Sequence, residues 1–310
     1  MKKLKVVFMG TPTFSVPILQ KLIDNYEVCM VVSQPDREKD RKGNLLATAT
    51  KKIAQEYNIE VYQPIKIKEQ YQKVLDKNPD IIITCAYGQI IPEAILNYPK
   101  YGCINVHGSL LPKLRGGAPI HHAIINGDKY TGITIMYMDK NMDSGDIINQ
   151  EEIPILDTDN LDSLYEKMSN LGAKLLIETI PQIINGTAKR IKQNQDEVTF
   201  GYNITKEEEK LNFTNSCIQV HNLIRGLSSY PGAYCLLEDK RIKVYASEPT
   251  NIKSSYPGKI VKIDKTGIYV DTKDYQIKLT DIKLEGKKRC LVKDFVNGIN
   301  PEEYLGKVLK

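Results

Sequence analysis

Asn105 and His107 stand two residues apart at the end of an apolar, β-branched run, Cys103-Ile104-Asn105-Val106-His107. In an extended chain residues i and i+2 share a face, so an amide and an imidazole converge on one point. An amide N–H steadies a developing oxyanion, and an imidazole with an ordinary pKa near ~6.5 can also move a proton at neutral pH. A lone histidine more often serves structure. Here the continuation Gly108-Ser109-Leu110-Leu111-Pro112-Lys113-Leu114-Arg115-Gly116 is rich in turn formers, and α/β sheets gather ligands at the carboxyl ends of their strands.

A second polar group of residues is Met138-Asp139-Lys140-Asn141-Met142-Asp143-Ser144-Gly145-Asp146, in a connection between two strand candidates. It lacks the central glycine and distal glutamate of a calcium loop. One aspartate from this loop beside His107 would orient the imidazole. Gly10-Thr11-Pro12 follows the first strand candidate, with Pro12 and Ser15 where a dinucleotide fingerprint needs glycine, which argues against nicotinamide or flavin. His121 and His122 read as helix-face residues. Cys217 and His221 have the i, i+4 spacing of half a zinc site, but no second pair completes it. The six cysteines are scattered without a C-x-x-C pair, so we expect neither a disulfide framework nor a metal site.

The elements that must position these groups alternate short apolar runs with helical-period segments over the first two-thirds of the chain. Strands are expected at Lys5–Met9, Val28–Ser33, Asp80–Ala86, Cys103–Val106, Gly132–Met138 and Ile147–Ile153. Helices are expected at Val16–Asn25, Thr48–Tyr57, Lys66–Lys77, Ala118–Asn126 and Leu161–Ile184, the last capped by Asp159 or Asn160 and stopped by Asn185-Gly186. This is the pattern of an α/β, Rossmann-like domain with a parallel sheet, covering residues 1–189. Residues 190–206 are polar and aperiodic and read as a linker. Residues 207–310 open with a helix over Ser216–Gly226 and continue as five short strands (Ala233–Leu237, Ile242–Ala246, Gly258–Ile263, Gly267–Asp271, Gln276–Leu284), which suggests a small OB-like β-barrel.

The 310 residues suit two domains, and the 41% hydrophobic and 26% charged composition is that of a globular chain. No run is long and apolar enough to span a membrane and no signal-type start is present, so a cytoplasmic protein, by default a monomer, is expected. The net charge of +5 lies wholly beyond residue 204, where 19 Lys and Arg face 14 Asp and Glu, against 24 and 24 before it. Such an excess either attracts a polyanion or merely keeps a surface solvated. Two basic patches stand out: the segment 36–52, with Arg37, Arg41 and Lys42, and Lys287-Lys288-Arg289.

These motifs, from Phe8-Met9-Gly10-Thr11-Pro12 through Gln34-Pro35-Asp36-Arg37, Ala86-Tyr87-Gly88, Asn105-Val106-His107-Gly108-Ser109-Leu110-Leu111-Pro112, Arg115-Gly116-Gly117-Ala118-Pro119 and Asp143-Ser144-Gly145-Asp146 to Tyr230-Pro231-Gly232-Ala233, resemble the methionyl-tRNA formyltransferase family along the whole chain. The resemblance implies a catalytic trio of Asn105, His107 and Asp143, and 10-formyltetrahydrofolate as formyl donor, held by Ser109, Leu110, Leu111, Pro112, Tyr87, Gly88 and Ile91. It implies initiator methionyl-tRNA as acceptor, contacted through Arg37, Arg41, Lys42, Lys287 and Lys288. Where relatives carry Asn-Pro-Trp before Pro-Gly-Ala, this chain has Ser228-Ser229-Tyr230.

Two other readings compete. A formyltransferase acting on a small amine, such as glycinamide ribonucleotide or an amino sugar nucleotide, would explain the trio equally well but would not need a basic second domain. An RNA-binding module with a silent α/β domain would have no use for the trio.

Overall fold

A computed structural model describes residues 3–37 and 43–310. The chain divides into two compact units: Met1–Pro119, Tyr130–Pro154 and Tyr165–Tyr202 form the first, and Ile120–Lys129, Ile155–Leu164 and Asn203–Lys310 the second.

The first unit is built on a seven-stranded sheet. Its strands are β1 (Lys5–Gly10), β2 (Glu27–Val32), β3 (Val61–Tyr62), β4 (Ile81–Cys85), β5 (Cys103–His107), β6 (Tyr130–Tyr137) and β7 (Ile147–Pro154), in the spatial order β3-β2-β1-β4-β5-β6-β7. The first five are parallel, and β6 and β7 run antiparallel. The expected sheet was parallel throughout. The departure begins at β6, which pairs antiparallel with β5; β7 then pairs antiparallel with β6, since the residues 138–146 that join them are too few for the crossover a parallel neighbour requires. The interior strands β1 and β4 bury nearly every side chain, as parallel strands covered on both faces do.

The strand order reverses between β1 and β4, so the crevice of this sheet opens at their carboxyl ends, beside β5. The helices α1 (Val16–Asn25), α2 (Ala49–Glu56), α3 (Gln72–Leu75) and α4 (Glu93–Leu96) fill its connections, while α5 (Pro119–Asn126) from Ile120 on and the first turn of α6 (Leu161–Ile184) are counted with the second unit. The helix expected over Lys66–Lys77 is one turn long. The backbone N–H groups of Lys66 and Ile67 are taken instead by the side chains of Gln70 and Gln89. At the start of α6, Asn160 accepts from the Ser163 N–H, and Gly186 ends it with φ +73°.

The second unit contains α7 (Cys217–Gly226), begun by a reciprocal cap between Ser216 and Gln219, and an antiparallel sheet. The strands are β8 (Ala233–Leu237), β9 (Lys240–Lys253), β10 (Ile260–Asp264), β11 (Gly267–Asp271), β12 (Tyr275–Leu284) and β13 (Cys290–Leu291), ordered β10-β11-β12-β9-β8 with β13 on β12. A short helix α8 (Val292–Phe295) follows. The C-terminal residues then close the sheet. Lys310 exchanges hydrogen bonds with Leu236 of β8, while Gly306, Lys307 and Leu309 bond to Ile260 and Gly258 at the head of β10. The two edges are thereby paired through one segment, and Leu309 is buried in the enclosed core with Val244, Val270 and Ile277. A closed barrel removes the free edges that an open sheet of this size would expose.

Candidate active site

β5 delivers Asn105 and His107 to the carboxyl edge of the sheet. Thr84 of β4 lies opposite Asn105 in register, and its hydroxyl donates to Asn105 Oδ1 over 2.9 Å. That bond fixes which end of the amide is oxygen and leaves Nδ2 as its donor. His107 is 5% exposed, and its Nε2 lies 3.1 Å from the carbonyl oxygen of Leu114. A carbonyl can only accept, so Nε2 carries the hydrogen and Nδ1 is the nitrogen left to the site. Asp143 Oδ2 stands 3.7 Å from Nδ1, beyond a direct hydrogen bond but within the span of a bridging water or a shared reacting group. The same oxygen accepts from the Gly116 N–H at 2.8 Å.

Of the three acids in the loop, only Asp143 turns to the imidazole. Asp139 caps its own turn, bonding the Asn141 N–H and the Ser144 hydroxyl, and Asp146 faces Arg190 at 3.8 Å. The turn that presents Asp143 is tightly held. Asp143 itself has φ +49°, and a Cβ on Gly145 would fall 1.9 Å from the Tyr137 carbonyl oxygen, so only glycine fits there.

Most of the segment 190–206, expected to be a linker, enters this site. Residues up to Tyr202 belong to the first unit, and Thr199 takes the Leu114 N–H on its hydroxyl and the Arg115 N–H on its carbonyl. Gln193, 7% exposed, accepts from Arg115 Nε and Nη2 and donates to the carbonyls of Asp143 and Gly145. Sequence reasoning passed over Gln193 because it lies in a polar stretch without periodicity.

The remaining expected site residues divide sharply. Ser109 and Leu111 are buried beside His107; Ser109 Oγ donates to the Lys113 carbonyl and the Ser109 carbonyl accepts from Thr134. Leu111 is held through its N–H by Thr134 and through its carbonyl by Gln150. Leu110 and Pro112 are half-buried. Tyr87 and Ile91 are packed into the apolar cluster with Val7, Met9 and Ile95, while Gly88 and Ile90 between them are exposed. The Tyr87 hydroxyl is buried without a hydrogen-bond partner among the described residues, and burial raises its pKa. Arg37 is exposed; Arg41 and Lys42 lie outside the described residues. Lys287 and Lys288 are exposed in the turn between β12 and β13 of the second unit. Cys217 and His221 do not face a common ligand, since Cys217 bonds the Gln276 carbonyl and His221 the Ser247 hydroxyl.

Residues 2–180 match the formyl transferase family and residues 203–300 match the formyl transferase C-terminal domain. A methionyl-tRNA formyltransferase of Bacillus thuringiensis subsp. konkukian is 49% identical over 304 residues, 96% of this chain and 97% of the relative. The chain belongs to the methionyl-tRNA formyltransferase family. Among solved structures, the fold resembles an N-formyltransferase from Helicobacter canadensis, in complex with folinic acid and dTDP-3-aminofucose, at TM-score 0.66 and 22% identity over 90% of this chain and 99% of that one. It also resembles a methionyl-tRNA formyltransferase from Clostridium thermocellum, at TM-score 0.56 and 19% identity over 80% and 94% of the two chains. Asn105, His107 and Asp143 all fall inside the formyl transferase match, whereas Gln193 falls between the two matched segments.

Proposed function

We infer that this protein transfers a formyl group from 10-formyltetrahydrofolate to the α-amino group of methionine on initiator methionyl-tRNA. The observation that carries the reading is the 49% identity to a methionyl-tRNA enzyme across 96% of the chain, both units included. The geometry of the first unit supports the same chemistry.

In this reading Asn105 Nδ2 donates to the oxygen that gains charge as the amine adds to the formyl carbon. Thr84 keeps the amide turned for that task. His107, anchored through Nε2, turns Nδ1 towards the same oxygen and donates to it when the ring carries both protons, with the Asp143 carboxylate beside it as counter-charge. Asp143, directly or through one water, accepts the proton that the amine loses and passes it towards the folate nitrogen that departs, so that no proton is gained or lost overall. No covalent enzyme intermediate is required. Because the Tyr87 and Ile91 side chains are committed to the core, folate contacts from this stretch fall to its backbone and to exposed Gly88 and Ile90, with Leu110 to Pro112 forming the facing wall. Arg37, Arg41, Lys42, Lys287 and Lys288 are assigned to tRNA phosphates.

The test is formyl transfer from 10-formyltetrahydrofolate by the purified protein to methionylated initiator tRNA, methionylated elongator tRNA and glycinamide ribonucleotide in parallel. Rapid formylation of the initiator tRNA alone upholds the assignment. Transfer to the small amine alone would keep the trio and overturn the acceptor.

A further inference from the structure

We propose that Gln193 is a positioning residue for the reaction, clamping the 143–145 turn so that the Asp143 carboxylate stays beside His107. The proposal rests on the catalytic reading of Asp143 given above. Its geometry is independent of that reading. The Gln193 amide is fully used: Oε1 accepts from Arg115 Nε at 3.1 Å and Nη2 at 2.8 Å, and Nε2 donates to the carbonyl oxygens of Asp143 and Gly145, each at 2.8 Å. A guanidinium can only donate, so Oε1 must face Arg115 and the NH2 must face the two carbonyls. Arg115 therefore fixes which way the amide points, and the amide fixes the turn.

The turn needs such a clamp. Asp143 has φ +49°, a conformation that costs a non-glycine residue free energy and persists where surroundings enforce it. Gln193 holds the carbonyl on each side of Ser144, and Asp143 Oδ2 is tied to the N–H of Gly116, the residue after Arg115. The side chain and the backbone of Asp143 are thus both referred to one short segment, Arg115-Gly116, which is also bonded to Thr199 and Gly201. If the clamp is lost, the turn can relax towards an ordinary conformation and carry the carboxylate away from Nδ1. Arg115 and Gln193 are both buried, so water does not readily replace either bond.

Gln193→Glu is the decisive substitution. It keeps the side-chain shape and an acceptor for Arg115, but sets an oxygen against the Asp143 and Gly145 carbonyls. We expect kcat for formyl transfer to fall roughly 10- to 100-fold, as loss of two buried hydrogen bonds to the turn implies. KM for each substrate should change by less than about threefold, since no substrate contact is removed. The control is the same substitution in an Asp143→Ala background. If Gln193 acts through Asp143, it should there cost less than about threefold, because interacting residues are non-additive. Arg115→Lys, which keeps the charge but offers a single nitrogen in place of two, should lower kcat by a smaller factor and lose its effect in the same background; it serves should the glutamate variant not fold.

Full additivity in the Asp143→Ala background, or a loss confined to KM, would overturn the proposal. A wild-type protein that transfers no formyl group, or an Asp143→Ala variant as fast as wild type, would instead overturn the catalytic reading on which it rests. The two failures are therefore separable.

Discussion

Replacing Asn105 by aspartate inverts one donor while leaving the shape of the site unchanged. Thr84 Oγ1 lies 2.9 Å from Asn105 Oδ1, and a carboxylate oxygen at that position still accepts its hydroxyl. The other oxygen then replaces Nδ2 where charge develops. Loss of one oxyanion donor costs about 10²- to 10³-fold in kcat, or ~2.7 to 4 kcal/mol. Two like charges ~4 Å apart at an effective dielectric constant of ~20 repel by a further ~4 kcal/mol. The sum is about 7 kcal/mol, or roughly 10⁵-fold. Asn105→Ala removes the donor without adding charge and should lose only about 10²- to 10³-fold.

Thr84→Val tests the orienting bond separately. A hydrogen bond of ~1 kcal/mol biases the amide about 5 to 1 between its two orientations, so its loss should slow turnover by less than roughly threefold. The assay is single-turnover formyl transfer at saturating donor, with thermal unfolding to show that each variant is folded. The order wild type, Thr84→Val, Asn105→Ala, Asn105→Asp is required. An aspartate variant as fast as the alanine variant would refute the reasoning, because Asn105 would then not face developing negative charge.

Other expectations concern the turn, the barrel, two histidines and the basic surface. Gly145→Ala forces a methyl group to within 1.9 Å of the Tyr137 carbonyl oxygen; the turn must shift, and displacement of Asp143 by ~1 Å should lower kcat about 10²-fold while the melting curve still shows a folded protein. Deleting residues 307–310 removes buried Leu309 and unpairs both barrel edges, and should destabilise the second unit by about 3 kcal/mol or more in urea unfolding. Burial lowers the pKa of His121 and of His221 to about 4. With the unfolded value near ~6.5, the unfolded chain binds more protons between these limits, so stability is full above about pH 6.5 and is lost as pH falls towards 4. Denaturation midpoints measured across that window should decline towards acid, and His221→Gln should flatten the decline. Replacing Lys287 and Lys288 together by alanine should weaken initiator tRNA binding and reduce the slope of log affinity against log salt by about 1.5, with kcat unchanged, as measured by filter binding and formylation.

The parts of the molecule legible in the sequence are those whose determinants are local. α1, α6, β8 and β11 occupy the expected residues because their periodicity and stop signals lie within them. Asn105 and His107 were legible together because i, i+2 spacing in a strand fixes their common face. β3 and β13 are two residues long and carry no period at all. The closing segment at the C-terminus was missed because its hydrogen bonds run to residues 236, 258 and 260, and nothing in its own composition records that. Gln193 was missed for the same reason, its partners lying 78, 50 and 48 residues away. The crossing of long-range contacts, rather than low local propensity, separates what could be read from what could not.

That separation has a bearing on how the site is built. Among the described residues, six other than glycine have positive φ, and three of them, Ala86, Leu114 and Asp143, sit in the loops that follow β4, β5 and β6. Asparagine tolerates the left-handed region, which accounts for Asn58 and Asn78. Leucine and alanine gain nothing from it by themselves. At Leu114, φ +57° accompanies a carbonyl placed 3.1 Å from His107 Nε2, and at Asp143 the same region brings a carboxylate to Nδ1. Each nitrogen of one imidazole thus faces an oxygen delivered from a residue with positive φ, hydrogen-bonded at Nε2 and approached to 3.7 Å at Nδ1. Both conformations are held by bonds from one remote segment, residues 193–199, through Thr199 at the Leu114 N–H and through Gln193 at the Asp143 carbonyl. The segment between the two family matches is therefore where the imidazole's surroundings are secured, and substitutions there should alter turnover before they alter binding.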